Sequence, residues 1–380
     1  MIVCRIMKTA IVHDWLTGMR GGEKCLEVFC ELFPDATLFT LIHDKGSVSP
    51  IIEKMNIKTS FLQNFPGICK NYRNFVPFFP MAIESFDLSG YDLILSSSHC
   101  VAKGVKTRPD AVHICYCYTP VRYAWKFYDA YFSSENKLKE WFISLIMNRL
   151  RKWDLKTNKS VDYFVAISDN VKSRIKEYYG RDSDTIYPPV DVDLHGKGEL
   201  KRNSDGYYLV VSALVPYKRV DIAVDAFTAS GKKLVVIGSG GELSNLKSRA
   251  GSNVEFRGWS GDDELVSCYN GCRALLFPGE EDFGIVPVEA QLYGKPVIAY
   301  AKGGALETIV PFKAGDNSRK ASGVFFDEQT PDALNGAVRI FEDNEQSFDP
   351  AAIRQNAVRF NRDRFKNEID AYVRQKLDEK

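Results

Sequence analysis

The chain has 380 residues, 45% of them hydrophobic and 26% charged, with a formal net charge of +1. That length exceeds one ordinary core and suits two domains, and the composition is that of a globular protein in water. So even a charge balance argues against a dedicated nucleic-acid binder, and no apolar run approaches a membrane span.

The opening Met1–Met7 is too short for a signal peptide, and Met7 serves equally well as a start. Thr9–Trp15 reads as a short apolar strand. Gly18-Met-Arg-Gly-Gly-Glu23 follows, and then Leu26, Phe29, Cys30 and Phe33 recur at helical spacing. Strand, glycine-rich turn and helix form a ligand-type unit, although G-x-G-x-x-G is missing. Gly21 and Gly22 either let a ligand approach the backbone or simply make a tight turn. Ala36–Ile42 gives the next strand, and a short one is expected near Lys58–Phe61. Tyr91–Ser98 is a strand ending in three serines, with His99 just beyond it. A histidine there lies on the edge where open α/β sheets bind ligands.

Val112–Tyr118 reads as another strand, leading into Tyr118-Thr-Pro-Val-Arg-Tyr-Ala-Trp125. Residues 125–159 interleave aromatics with Lys and Arg; Leu138, Trp141, Phe142, Leu145 and Trp153 recur at helical spacing. The pattern suits a helix on an anionic membrane surface, or one packed on the domain with a solvated basic face. Asp162–Ser168 closes this half, and Asp169 is a candidate cap for the next helix. The stiff Thr185-Ile-Tyr-Pro-Pro-Val-Asp191 crossover places a domain boundary near residue 190.

Tyr207–Leu214 begins a second parallel sheet. Lys218 and Arg219 stand where its first strand hands over to a helix, either facing a diphosphate or as plain surface cations. Lys233–Ile237 ends in Gly238-Ser-Gly-Gly-Glu242, a nucleotide-side loop or a bare turn. Ala274–Phe277 is a buried strand; Pro278 and Gly279 end it, and a helical pattern then runs through Leu292 with Asp282 as candidate N-cap. Phe283, Gly284 and Ile285 lie at that turn, where free backbone N–H groups suit a phosphate. Glu281 and Glu289 bracket the element, roughly 12 Å apart along a helix axis. By itself this spacing more often marks a solvated helix face. A further glycine pair, Gly303 and Gly304, follows the Pro296–Tyr300 strand and leaves room for a pyrophosphate or sugar. Pro331–Phe341 and two polar stretches near the C-terminus read as helices. The nine cysteines include no Cys-x-x-Cys and read as buried reduced thiols.

Four segments together resemble retaining glycosyltransferases of the GT-B fold, family 4. They are Ser96-Ser-Ser-His-Cys-Val-Ala-Lys-Gly104, Tyr118–Trp125, Tyr187-Pro-Pro-Val-Asp191 and Glu281–x7–Glu289 with Phe283-Gly284 between. The second is similar to a segment of O-antigen-type mannosyltransferases. The resemblance implies an α/β chain of two Rossmann-like domains facing across a deep cleft. Residues 1–190 would bind the acceptor and 191–360 the nucleotide sugar, with a 361–380 helix packing back on the first domain. It implies transfer of mannose from GDP-mannose to a glycan or lipid-linked acceptor in bacterial surface polysaccharide synthesis, either free in the cytoplasm or against the membrane through 125–159. His99 would lie beside the sugar, Glu281 would hold sugar hydroxyls and Glu289 the ribose. Lys218 and Arg219 would meet the diphosphate with Phe283–Ile285, Gly21, Gly22, Gly303 and Gly304 around the donor. Arg122, Tyr123 and Trp125 would face the acceptor. No cofactor is implied, and transfer is expected to need no metal, on the reading that the chain carries no acidic metal-ligand motif. The chain departs from the pattern at Ser212-Ala213-Leu214, where many members of the family carry Gly-Arg-Leu; Arg219 is the expected substitute. Rival readings are a UDP-sugar donor, an epimerase or phosphorylase on a related fold, and a catalytically silent nucleotide-sugar-binding protein.

Overall fold

Two parallel sheets organise the chain in a computed structural model that describes residues 7–121, 124–125, 137–192, 200, 206–258, 261–315 and 319–380. The first sheet contains β1 (Thr9–His13), β2 (Thr37–Thr40), β3 (Asn56–Thr59), β4 (Leu93–Ser98), β5 (Val112–Cys117), β6 (Tyr163–Ala166) and β7 (Ser183–Thr185), in the order β3-β2-β1-β4-β5-β6-β7. The second contains β8 (Tyr207–Val211), β9 (Leu234–Ile237), β10 (Val254–Gly258), β11 (Cys272–Phe277), β12 (Val297–Tyr300) and β13 (Gly323–Phe326), in the order β10-β9-β8-β11-β12-β13. The central strands are buried along their whole length because helices cover both faces, so they do not alternate between buried and exposed positions. β3, at an edge, does alternate. It lies two residues earlier than its expected Lys58–Phe61 position, since Ser60 turns away to cap the following helical turn.

The chain divides into two compact units, residues 1–189 with 363–380, and 190–362. In the first, the Gly21–Leu32 helix packs one side of the sheet. The Arg362–Asp378 helix lies beside it: Phe365 sits 5.9 Å from Phe29 and 5.5 Å from Tyr116, ring to ring, and Lys366 pairs with Glu31 at 3.1 Å. On the other side Ala82, Ile83, Met147 and Leu150 share a core with Val12 and Ile94. The 137–157 helix therefore turns Met147 and Leu150 inward, while Trp141 and Leu145 are about half exposed at 56% and 46%. Ser168, not Asp169, caps the helix after β6, accepting from the Val171 N–H at 3.1 Å; Asp169 is its first residue. In the second unit, the Val220–Ser230 and Pro331–Asp343 helices cover one face around Phe227 and Phe341. Tyr269 and Tyr293 stack beneath the other.

Both sheets reverse direction at the same place in their order. β1 neighbours β4 and β8 neighbours β11, with the chain moving away on opposite sides of each pair. The helix-opening loops at the C-terminal ends of such a pair splay apart and leave a crevice, which is where open α/β sheets hold ligands.

Candidate functional site

In the first unit the crevice lies between the ends of β1 and β4. β1 ends in His13 and runs on into Asp14 and Trp15; β4 ends in Ser97 and Ser98 and runs on into His99. His13 and Asp14 are fully buried, whereas the His99 side chain is 30% exposed. Asp14 accepts the backbone N–H groups of His99, Cys100, Val101 and Ala102 at 2.6–2.9 Å, and His99 Nδ1 lies 3.1 Å from its Oδ2. The Trp15 ring meets His99 edge-on, 4.4 Å between centroids. The histidine singled out from the sequence is thus held by an aspartate that an apolar strand conceals. A charged residue inside such a run is itself a signal, because a buried carboxylate requires partners.

Beside it His13 Nδ1 lies 3.0 Å from Ser97 Oγ, and Ser97 Oγ lies 2.8 Å from the Tyr118 hydroxyl. Tyr118 donates to the Gly22 carbonyl at 2.9 Å, which ties the glycine loop to β4 and β5. His13 Nε2 faces Glu23 at 3.7 Å. Burial alone would raise the Glu23 carboxyl, but the bond and charge of His13 outweigh it and hold that group below the ordinary carboxylate range. Burial drives the Tyr118 hydroxyl well above its usual value, so it acts as a neutral donor. Gly21 opens the 21–32 helix and Gly22 follows; a Cβ on Gly22 would only reach ordinary contact with the Tyr118 ring, 3.6 Å away. Arg122 and Tyr123 lie outside the described residues. Trp125 is committed to the fold: its Nε1 donates to Asp154 at 2.9 Å and its ring stacks on Tyr178.

In the second unit the crevice lies between β8 and β11. Pro216–Lys218 form one 3₁₀ turn after β8, and Arg219 adopts a left-handed conformation, φ 51°, to start the next helix. Lys218 Nζ makes an ion pair with Glu281, both largely buried, so two residues 63 positions apart in the sequence become partners here. Arg219 is engaged elsewhere, bonding Asp221 through Nε and Nη2 at 3.1 and 3.2 Å. Glu281 is outside the helix, so the 12 Å axial spacing from Glu289 does not apply. It forms a bridge with Gly303 instead, and its carbonyl accepts the Gly304 N–H at 2.8 Å. A Cβ on Gly303 would lie 2.3 Å from the Glu281 oxygen, and one on Gly304 would lie 2.3 Å from Phe283 Cα. The steric reason for this glycine pair is therefore the Glu281–Phe283 backbone.

The helix runs Ile285–Leu292 with Gly284 as its N-cap at φ 88°, a conformation that suits glycine, and no side chain caps it. Asp282, expected in that role, is buried and lies two residues before the cap. The Phe283 ring points inward, edge-on to Phe360 at 5.3 Å. Glu289 is buried within the helix and accepts from the Tyr269 hydroxyl at 3.1 Å. Burial and the neighbouring Glu289 charge push that hydroxyl well above its usual range. Tyr269 escaped the sequence reading because nothing local distinguishes it from a core tyrosine.

Contrary to the reading that no acidic metal-ligand motif occurs, the chain carries two Asp-x-Asp triplets, Asp182-Ser-Asp184 and Asp191-Val-Asp193. Asp182 pairs with Lys176 and Asp184 accepts from Tyr372, while Asp193 lies outside the described residues. Among the described residues no three His, Cys, Asp or Glu side chains are grouped as a metal site. No described helix is long and apolar enough to cross a membrane. No disulfide joins any two of the described cysteines, most of which are buried.

Residues 192–360 match the family of glycosyl transferases group 1. The chain is 22% identical over 439 residues to the alpha-1,3/1,6-mannosyltransferase ALG2 of Kluyveromyces lactis, covering 96% of this chain and 85% of that protein. It is 26% identical over 238 residues to the O-antigen chain mannosyltransferase C of Escherichia coli, covering 56% and 60%. The crystal structure of Anabaena HepE in complex with UDP superposes with a TM-score of 0.65 at 17% identity, covering 97% of this chain and all of that one. The chain is a glycosyltransferase of the GT-B fold. Its second unit carries the glycosyl transferases group 1 domain, and mannosyltransferases are among its relatives.

Proposed function

We propose that the chain is a retaining transferase that moves mannose from GDP-mannose to a glycan or lipid-linked saccharide in bacterial surface polysaccharide assembly. The observation that carries the site is the pairing of Lys218 with Glu281 at the β8–β11 reversal, with the uncapped Ile285–Leu292 helix following. The mannosyltransferase relatives support the sugar, and their kinship supports a polysaccharide acceptor. The first unit binds the acceptor and residues 191–360 the donor.

The leaving group is a diphosphate, and the charge that develops on it must be met where it develops. Lys218 exchanges Glu281 for the diphosphate when the donor binds, and Glu281 turns to the sugar hydroxyls. First-turn N–H groups of the 285–292 helix add to the same anion site. Arg219 joins by leaving Asp221, in place of the arginine that Ala213 does not supply. Glu289, held by Tyr269, accepts from the ribose. His99 lies beside the sugar, and the acceptor attacks from the face the diphosphate leaves. The exposed Trp141, Leu145 and Leu155 of the 137–157 helix support peripheral contact with a membrane that carries a lipid-linked acceptor.

Labelled GDP-mannose and UDP-glucose, each incubated with the protein and scored for slow hydrolysis, test the reading. Release of GDP with α-mannose is expected. Turnover of the UDP-sugar alone would overturn the donor assignment, and tight binding without any turnover would make the chain a silent nucleotide-sugar binder.

A further inference from the structure

We propose that Asp14 is a positioning residue for His99: it sets the tautomer of the imidazole and fixes the turn that carries it. The proposal rests on the reading of His99 as a residue beside the sugar.

Asp14 has no exposed surface. As an ionised carboxylate it only accepts hydrogen bonds, and it is satisfied from one short stretch of chain. Oδ2 takes the N–H of His99 at 2.8 Å and of Cys100 at 2.9 Å; Oδ1 takes those of Val101 at 2.6 Å and Ala102 at 2.8 Å. Four backbone donors account for a carboxylate whose task is to close a turn. The fifth contact, from His99 Nδ1 at 3.1 Å, goes beyond that task. A ring nitrogen that close to a carboxylate oxygen carries its proton. In the neutral imidazole the lone pair then sits on Nε2. Nε2 is the acceptor a sugar hydroxyl requires, and the opposite tautomer would offer it only a donor.

The ring orientation is fixed from a second side. Trp15, the next residue along from Asp14, meets the imidazole at an interplanar angle of 87°. Tautomer and orientation both come from the end of β1, across the reversal from the strand that carries His99. Neighbouring His13 does not compete for Asp14: its Nδ1 is on Ser97 and its Nε2 faces Glu23. The two buried acids of this crevice therefore serve different histidines.

Two measurements test the assignment. Nitrogen chemical shifts of His99 in the intact wild-type protein, at a pH where the ring is neutral, report its tautomer without any substitution. The Nδ1–H form is expected, and the Nε2–H form would overturn the proposal. Turnover at saturating donor is then compared in wild type, Asp14→Asn, His99→Ala and the double variant, each checked for cooperative unfolding. Asp14→Asn should lower kcat on the order of 10²-fold, the scale of a misplaced catalytic group, with a smaller change in donor KM. Placed on His99→Ala it should change kcat by less than about twofold, because residues that act through one another are not additive. An equal loss in both backgrounds would mean that Asp14 serves the fold and not His99. Undiminished turnover in His99→Ala would instead remove His99 from the reaction and end any catalytic purpose for Asp14, whatever tautomer the spectrum shows.

Discussion

His113 and Glu289 show burial setting what one side chain can do. His113, wholly buried in β5, lies 2.8 Å from Ser96 Oγ through Nε2 and donates from Nδ1 to the Ser160 carbonyl at 2.8 Å. Burial is the largest influence and lowers its pKa to about 4. The unfolded chain takes up this proton near pH 6.5, while the folded protein does so only near 4. Stability is therefore complete above pH 6.5, falls as pH drops through that interval, and levels below 4. The loss should approach ~3 kcal/mol, and His113→Gln should flatten the slope in urea titrations at pH 7, 5.5 and 4.5. An unchanged slope would place the effect on other groups. At Glu289, removing the carboxylate with Glu289→Ala should weaken nucleotide binding by about 1.5–3 kcal/mol if it holds ribose. Tyr269→Phe, which leaves the carboxylate but frees it to turn, should cost less than that. Calorimetry with GDP on both variants decides it, and wild-type affinity in Glu289→Ala would remove that residue from the site.

At the scale of elements, the 137–157 helix is secured by a buried charge pair rather than by its apolar face alone. Lys103 Nζ meets Asp154 Oδ1 at 2.9 Å, donates to the Asp154 carbonyl at 2.8 Å and lies 4.8 Å from the Tyr179 ring centroid. Asp154 Oδ2 in turn accepts from Trp125 and from the Tyr179 hydroxyl. Three other segments of the first unit, carrying Lys103, Trp125 and Tyr179, converge on this aspartate. Removing one member of such a pair leaves an uncompensated charge in a dry place. Lys103→Met should therefore destabilise by about 3–5 kcal/mol. The joint Lys103→Met and Asp154→Leu replacement should recover part of the loss, as read from chemical denaturation. The same helix presents Trp141 and Leu145 outward, and its membrane role has a separate test. Co-sedimentation with vesicles containing anionic lipid should fall when both are changed to Ser, and unchanged co-sedimentation would locate the contact elsewhere.

For the molecule as a whole, each unit has its own sheet, its own cores and its own crevice at the strand reversal. A nucleotide that binds only the folded form stabilises it by mass action. At a free concentration 100 times its dissociation constant the gain is about 2.7 kcal/mol. Thermal unfolding in a panel of nucleotides should therefore rise most with GDP and less with UDP, and the reverse order would assign the donor to the uridine series. Activity that survives EDTA is the corresponding expectation for the leaving group, since Lys218 and backbone N–H groups are the proposed countercharge. Loss in EDTA with recovery in magnesium would overturn it.

Apolar runs such as Leu93–Leu95 and Leu234–Ile237 could become little but strands buried on both faces, so the alternating α/β architecture was legible in the chain itself. Glycine pairs and chemistry-bearing residues at strand ends marked His99, Lys218 and Glu281 for the same reason: the ends of parallel strands are where a sheet leaves backbone and side chains open. What those residues bond to was not legible. Asp14 and His99 are 85 positions apart, and Lys218 and Glu281 are joined only because β8 lies beside β11. The Gly303–Gly304 pair belongs to the Glu281–Phe283 backbone, and the cap at Gly284 depends on a positive φ that no residue pattern specified. Local hydrophobic periodicity determines which segments are strands and helices. Only the packing of distant segments determines which buried charge finds which donor, because a desolvated carboxylate takes the partners the fold brings to it.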